Sequence, residues 1–283
     1  MKLGAHMSIA GGVENAILSG HQVGCDAIAM FTKNNNQWKA KPLTQDDADR
    51  FNAARLETGI RPVVAHASYL INLASPDAAL WKKSIVAMED ELKRCELLGI
   101  PYLVLHPGSH MGKGVEWGVK RVADAFNRIH KKLPGLRAMT LLEHTAGQCN
   151  HLGHLFEELA QMRELIAEKN RIGVCVDSCH LFAAGYDLRK RETYADVFKQ
   201  FDDTVGIAQI KAWHLNDCKT DFGSRVDRHE HIGKGKLGKA AFRNIVNDPR
   251  WRDLPGILET PKGPEMKEDV VNLRVLRGLI EKS

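Results

Sequence analysis

The sequence predicts an α/β fold, a single (β/α)8 TIM barrel over residues 1–283 with its active site at the C-terminal ends of the strands. Three observations predict it. Short apolar runs recur eight times, each followed by a longer amphipathic stretch. No linker, low-complexity tract or internal repeat interrupts that alternation. The third to the eighth runs each carry a histidine or a carboxylate toward their C-terminal end.

In order, the runs are KLGAHMS (2–8), CDAIAMFT (25–32), PVVAHAS (62–68), YLVLHPGS (102–109), MTLLEHT (139–145), IGVCVDS (172–178), KAWHLND (211–217) and GILET (256–260). Between them lie segments of helical periodicity. DAALWKKSIVAMEDELKRCELLG (77–99) places Leu80, Ile85, Met88, Leu92 and Leu97 near helical spacing, and LGHLFEELAQMRELIAEK (152–169) is another. Apolar strands alternating with helices mean parallel strands joined by right-handed crossovers. An open doubly wound sheet shares this alternation, but eight units favour closure.

The bulk properties fit. A chain of 283 residues matches one barrel of roughly 250 and buries most of its apolar surface without disulfides. Cys25, Cys95, Cys149, Cys175, Cys179 and Cys218 form no CxxC and read as reduced, mostly buried thiols of a cytoplasmic protein. There is no apolar run of membrane-spanning length, and the polar N-terminal stretch does not read as a signal peptide. Forty basic against 35 acidic residues leave +5, which permits a polyanionic partner without requiring one.

The chemistry lies at the run ends. His66, His106, Glu143, Asp177, His214 and Glu259 end six consecutive strands, and His180 follows Asp177 closely. Residues two apart share a strand face. These six therefore share faces with Val64, Val104, Leu141, Cys175, Ala212 and Ile257, all small or apolar, as a packed barrel interior requires. A lone buried histidine usually just satisfies a hydrogen bond. Six such groups converging on one axis would repel or shift their pKa values strongly unless a cation joined them. Asp227 and His229, a D-x-H pair after the seventh run, extend toward the same rim. Imidazole with carboxylate and no thiolate suits Zn, Mn or Fe better than Ca or Mg. Nine candidate ligands exceed one tetrahedral ion, so two or three are implied, an arrangement suited to hydrolysis at phosphorus.

The order and identity of these stretches resemble the endonuclease IV family of abasic-site endonucleases. The matching stretches are GAH (4–6), FTKN (31–34), SYLINL (68–73), HPGSH (106–110), E-x-TAGQ (143–148) and VCVDSCHLFAAGYD (174–187). HLND (214–217), FGSRVDRHEHIGKGKLG (222–238) and LET (258–260) complete them. The resemblance implies three Zn2+: one on His66, His106 and Glu143, one on Glu143, Asp177, His214 and Glu259, one on His180, Asp227 and His229. Glu143, bridging the first two, is the residue expected to be catalytic. The implied reaction is base excision repair incision 5′ to an abasic site, leaving a 3′-hydroxyl and a 5′-deoxyribose phosphate, with trimming of blocked 3′ ends. The implied partner is double-stranded DNA carrying that site, and the implied state is a monomer.

In this reading the 33–39 loop, with Asn34, Asn36 and Gln37, meets DNA, as do Tyr69 and Leu70, which are suited to wedging into the base stack. Trp38 reads as an anchor for its loop. Lys219, Arg225 and Arg228 are candidate phosphate contacts, and His6 and His110 supporting or phosphate-contacting groups. Two positions depart from the family pattern: Asn36 stands where an arginine is usual, and His144 where asparagine is usual. Gly233 to Gly238 spells G-x-G-x-x-G but follows no strand directly, so no nucleotide cofactor is expected. Two other classes compete: a divalent-metal sugar isomerase or epimerase on the same scaffold, and a zinc-stabilised protein that binds damaged DNA without cutting.

Overall fold

The computed structural model describes residues 1–281. The barrel strands are β1 (Lys2–Met7), β2 (Ala27–Phe31), β3 (Val63–His66), β4 (Tyr102–Leu105), β5 (Met139–Glu143), β6 (Ile172–Asp177), β7 (Ile210–His214) and β10 (Pro255–Leu258). They pair in parallel and close in the order β1-β10-β7-β6-β5-β4-β3-β2. In the excursion after β7, β8 (Asp217–Cys218) and β9 (His229–Glu230) form a small antiparallel ribbon. The helices are α1 (Glu14–Gln22), α2 (Gln45–Thr58), α3 (Ala78–Leu98), α4 (Val115–Lys132), α5 (Phe156–Leu165), α6 (Ser178–Ala184), α7 (Arg191–Thr204), α8 (Gly238–Val246) and α9 (Lys267–Leu279). The chain is thus a TIM barrel, as its alternation predicts.

Local chemistry sets the boundaries. Thr44 caps α2 through a reciprocal capping box with Asp47, and Gly59 ends that helix at φ 72°. Asp77 caps α3, and Gly99 ends it at φ 65°. At Gly4, a Cβ would lie 1.7 Å from the Ala27 carbonyl oxygen, so only glycine lets β1 approach β2 this closely.

The parity argument holds in space. Ala27, Ala29, Val64, Val104, Leu141, Cys175, Ala212 and Ile257 form one buried cluster inside the barrel. Every apolar partner inferred from residue spacing is there, with two β2 alanines completing the ring. β4 and β10 stop one residue short of His106 and Glu259, so those side chains stand on the first loop position.

One element differs from expectation. The 152–169 helix is shorter, because Leu152 and Gly153 are drawn into the rim. Leu152 N–H donates to the Gly108 carbonyl, and Gly153 N–H to the Glu158 carboxylate at 2.5 Å. The seventh strand ends at His214 as expected, and the rest of its apolar run turns into the ribbon, where Asp217 pairs with Glu230. Asp217 is buried and accepts from the N–H groups of Gly233, Leu237 and Gly238. The glycine-rich turn therefore folds its amides onto an internal carboxylate. Among the described residues, no helix is long and apolar enough to cross a membrane.

Candidate metal centre on the barrel rim

Three imidazoles are held in one tautomer by backbone carbonyls. His66 Nδ1 lies 2.7 Å from the Ala67 carbonyl, His180 Nδ1 2.8 Å from that of His144, and His229 Nδ1 3.2 Å from that of Glu259. A carbonyl only accepts, so each Nδ1 must carry the proton. In the neutral ring, each Nε2 then presents a lone pair. Those lone pairs face carboxylates: Glu143 at 3.2 Å from His66, and Asp227 at 3.2 Å from both His180 and His229. Acceptor against acceptor is repulsive unless a proton or a metal ion lies between. Carbonyl-oriented imidazoles are the usual support of metal ligands.

Glu143 sits at the centre, fully buried at the end of β5. His66 and His106 lie 3.2 and 3.0 Å from one of its oxygens, and His214 and His180 2.8 and 3.4 Å from the other. Burial alone would push this carboxyl up, but His214 and His106 outweigh it and hold Glu143 well below the ordinary carboxylate range. Burial works against protonated His229 too, yet Asp177 and Asp227 raise it to about 9. His180 is raised in the same way, against its burial, by Asp177, Asp227 and Glu143, and His214 is raised against its burial by Cys175 first and then by Glu259 and Glu143. Protons thus fill the role that cations would take, and cation binding would release them.

Candidate ligand atoms fall into three sets, the atoms of each within 4.8 Å of one another: His66, His106, Glu143; Glu143, Asp177, His214, Glu259; and His180, Asp227, His229. These are the sets the family resemblance implies, and their nitrogen and oxygen donors fit a borderline divalent ion. Cys179 comes within the same reach of Asp177 and His229. Its hydrogen bond with Cys218, together with burial, pushes the thiol far up and keeps it protonated.

Several supporting residues escaped the sequence reading. Asn216 Nδ2 donates to Asp177 at 2.6 Å, while its side-chain oxygen accepts from Glu259 N–H at 2.8 Å. Its signal was available: it stands two residues past His214. Asp177 also caps α6 by accepting from His180 N–H at 2.9 Å, so one carboxylate sets both a helix start and a rim group. Gln148 accepts from Asp227 N–H, bringing the D-x-H pair to the rim across 79 residues of chain. Of the two histidines expected to support the rim, His6 lies 3.1 Å from Glu259. His110 stays outside the three sets, accepting from Gly114 N–H within its own loop. His144 turns away to pack on Phe156 and Tyr186.

Beside the centre lies a cavity of about 290 Å³, lined by His66, Tyr69, His106, Ser109 and His151 among others. Tyr69 is 56% exposed at its edge, and Leu70 half-buried next to it. Asn34, Asn36 and Gln37 are exposed on the neighbouring loop. Trp38 packs against the core with Lys83 Nζ 4.2 Å from its ring centre, as an anchor should. Lys219, Arg225 and Arg228 lie on the β8–β9 excursion. Lys33, in contrast, is buried and turned inward.

Fold and rim together define a TIM-barrel protein with a multi-ligand centre at the strand ends. Residues 20–277 match the family described as xylose isomerase-like TIM barrel. The chain is 53% identical over 280 residues to a probable endonuclease 4 of Chloroflexus aurantiacus, covering 99% of this chain and 98% of that one. The crystal structure of endonuclease IV from Thermus thermophilus superposes with a TM-score of 0.86 at 39% identity, covering 99% of this chain and 98% of that one. The chain belongs to the endonuclease IV family. A D-tagatose 3-epimerase-like protein superposes over 99% of this chain and 97% of its own with a TM-score of 0.76, but at 17% identity it shares the fold alone.

Proposed function

We propose that this protein is an abasic-site endodeoxyribonuclease of base excision repair, its residues 1–283 forming one catalytic barrel domain. It hydrolyses the phosphodiester 5′ to the abasic sugar, leaving a 3′-hydroxyl and a 5′-deoxyribose phosphate, and trims blocked 3′ ends. The observation that carries this reading is the trio of carbonyl-pinned imidazoles whose Nε2 lone pairs face Glu143 and Asp227, in a chain of the endonuclease IV family.

Three Zn2+ would be held by the three ligand sets, with Mn or Fe able to replace zinc at one of them. Bound there, the metal would supply a nucleophile at neutral pH and concentrated positive charge against the phosphate. The chain's own groups do the rest. The pinned imidazoles keep their lone pairs aimed at the centre. Glu143, with oxygens turned toward two of the sets, fixes their spacing. Tyr69 and Leu70 wedge into the duplex, and the cavity between Tyr69 and His151 receives the extruded sugar. A nucleotide without a base costs least to unstack, which is itself a source of selectivity. Asn34, Asn36, Gln37 and Arg228 contact the duplex around that point, with His6 and His110 supporting the rim. The working form is a monomer.

The test is incubation of the purified protein with a duplex bearing one abasic site, with the cut mapped on both strands. The expected result is a single incision 5′ to the site, abolished by chelator stripping and restored by Zn2+. Tight binding without incision points to a non-catalytic damage-binding protein. Activity on free ketoses with no action on the duplex points to an epimerase.

A further inference from the structure

One face of α3 carries an ion network that touches both loops proposed to meet DNA. Lys33, only 2% exposed at its side chain, places Nζ 2.8 Å from Asp90 and 3.5 Å from Glu91. Glu91, buried, accepts from Thr32 Oγ1 at 2.5 Å and from Ser68 N–H at 3.4 Å. Arg94 donates to the Thr32 carbonyl at 3.3 Å and the Lys41 carbonyl at 2.7 Å, and to Asp90 at 3.0 Å. The start and end of the 32–41 loop are thus tied to one helix, together with the first residue of the Ser68-Tyr69-Leu70 turn. Ser68 then joins the loops directly: its Oγ donates to the Asn35 carbonyl at 2.6 Å and accepts from Leu70 N–H.

Two lysine or arginine cations against two carboxylates make the network neutral. Apart from the partly exposed Asp90 the network is buried; such ion networks are weak stabilisers beside an apolar core of equal volume, while their fixed geometry can impose one arrangement. Here that arrangement sets the spacing between Asn34–Gln37 and Tyr69–Leu70. We infer that Glu91, Lys33, Arg94 and Ser68 are positioning residues that lock the two loops at the separation the damaged duplex requires. No side chain of the network belongs to or bonds a member of the three candidate ligand sets; its one link to them is the Ala67–Ser68 peptide, whose N–H donates to Glu91 and whose carbonyl pins His66, so its main effect falls on duplex binding rather than on hydrolysis. Preorganising two loops removes an ordering cost that binding would otherwise carry.

This assignment rests on the abasic-duplex reading, and the experiment separates the two. Fluorescence anisotropy gives Kd for an abasic duplex, hydrolysis of bis(p-nitrophenyl) phosphate reports the centre alone, and bound metal is counted. E91Q and the milder S68A are expected to raise Kd about tenfold, with small-substrate turnover and metal content within about twofold of wild type. E89Q serves as control. Glu89 is also buried on α3 but pairs with Lys132, away from both loops, and its loss is expected to leave Kd unchanged. Unchanged Kd in both E91Q and S68A, an E89Q effect equal to that of E91Q, or parallel loss of small-substrate turnover would overturn the inference. Wild-type protein that ignores the abasic duplex would retire the function and this assignment together.

Discussion

The interior layer of the barrel and the rim layer above it come from the same strands, one pleat step apart. Below are Val64, Val104, Leu141, Cys175, Ala212 and Ile257; above are His66, His106, Glu143, Asp177, His214 and Glu259. Both layers are packed, and Glu143, Asp177 and His214 are as buried as Leu141. The difference lies in what completes them. The apolar layer is satisfied by its own contacts. The polar layer is left with lone pairs facing carboxylates and holds together only through protons or cations. Stability belongs to the lower layer and the proposed chemistry to the upper.

The largest expected effect breaks the upper layer. Glu143→Gln removes the shared charge that four imidazoles face, and incision is expected to fall by about 10³-fold or more. Metal content measured beside the rate shows whether the ions are lost with it. A protein that retains wild-type rate would refute the central role of this residue.

Leu141→Ala breaks the layer beneath on the same strand. Denaturant unfolding should show a loss of about 2–5 kcal/mol, from lost burial and the cavity left behind. The folded fraction should keep its rate, and a rate loss exceeding the unfolded fraction would show that the layers are not separable.

Histidines sharpen the contrast through pH. His229 on the rim is raised to about 9, while His130, near the C-terminal end of α4, is pushed down to about 4, first by burial and then by Arg171. A histidine whose pKa falls on folding binds fewer protons folded than unfolded. Its contribution is complete above the ordinary histidine value of about 6.5 and is lost as pH falls toward about 4. Stability should therefore decline across that window, by no more than about 1.4 kcal/mol per pH unit from this group. His130→Gln should flatten that slope in urea titrations at several pH values, and an unaltered slope would remove His130 from the account.

The smallest effect concerns the exposed loop. Asn36→Arg adds a cation and a long side chain where the family pattern has arginine, and duplex affinity should rise about threefold to tenfold at low salt. Unchanged or weaker binding would mean that the loop meets DNA elsewhere.

Much of this was legible in the chain because strands and metals impose local rules. The residue spacing of two named the interior cluster and the rim groups above it, and helical spacing placed α3 within a residue at each end. Asp227 and His229 were visible as a D-x-H pair, but what brings them home, Gln148 accepting from Asp227 N–H, is a contact between distant segments that no local pattern encodes. Lys33 misleads for a related reason. In sequence it stands at the head of a loop rich in polar residues, and only the packing of α3 against that loop turns it inward to Asp90 and Glu91.

By itself the sequence determined the barrel, the identity of the rim groups and their family, since periodicity and residue chemistry act over a few neighbouring positions. The tertiary structure alone decided which nitrogen of each histidine faces the centre, how Asn216 bridges Asp177 and Glu259, and how α3 ties two loops together. Those are hydrogen bonds and ion pairs between residues far apart in the chain, and they exist only once barrel closure has brought the strand ends to one axis.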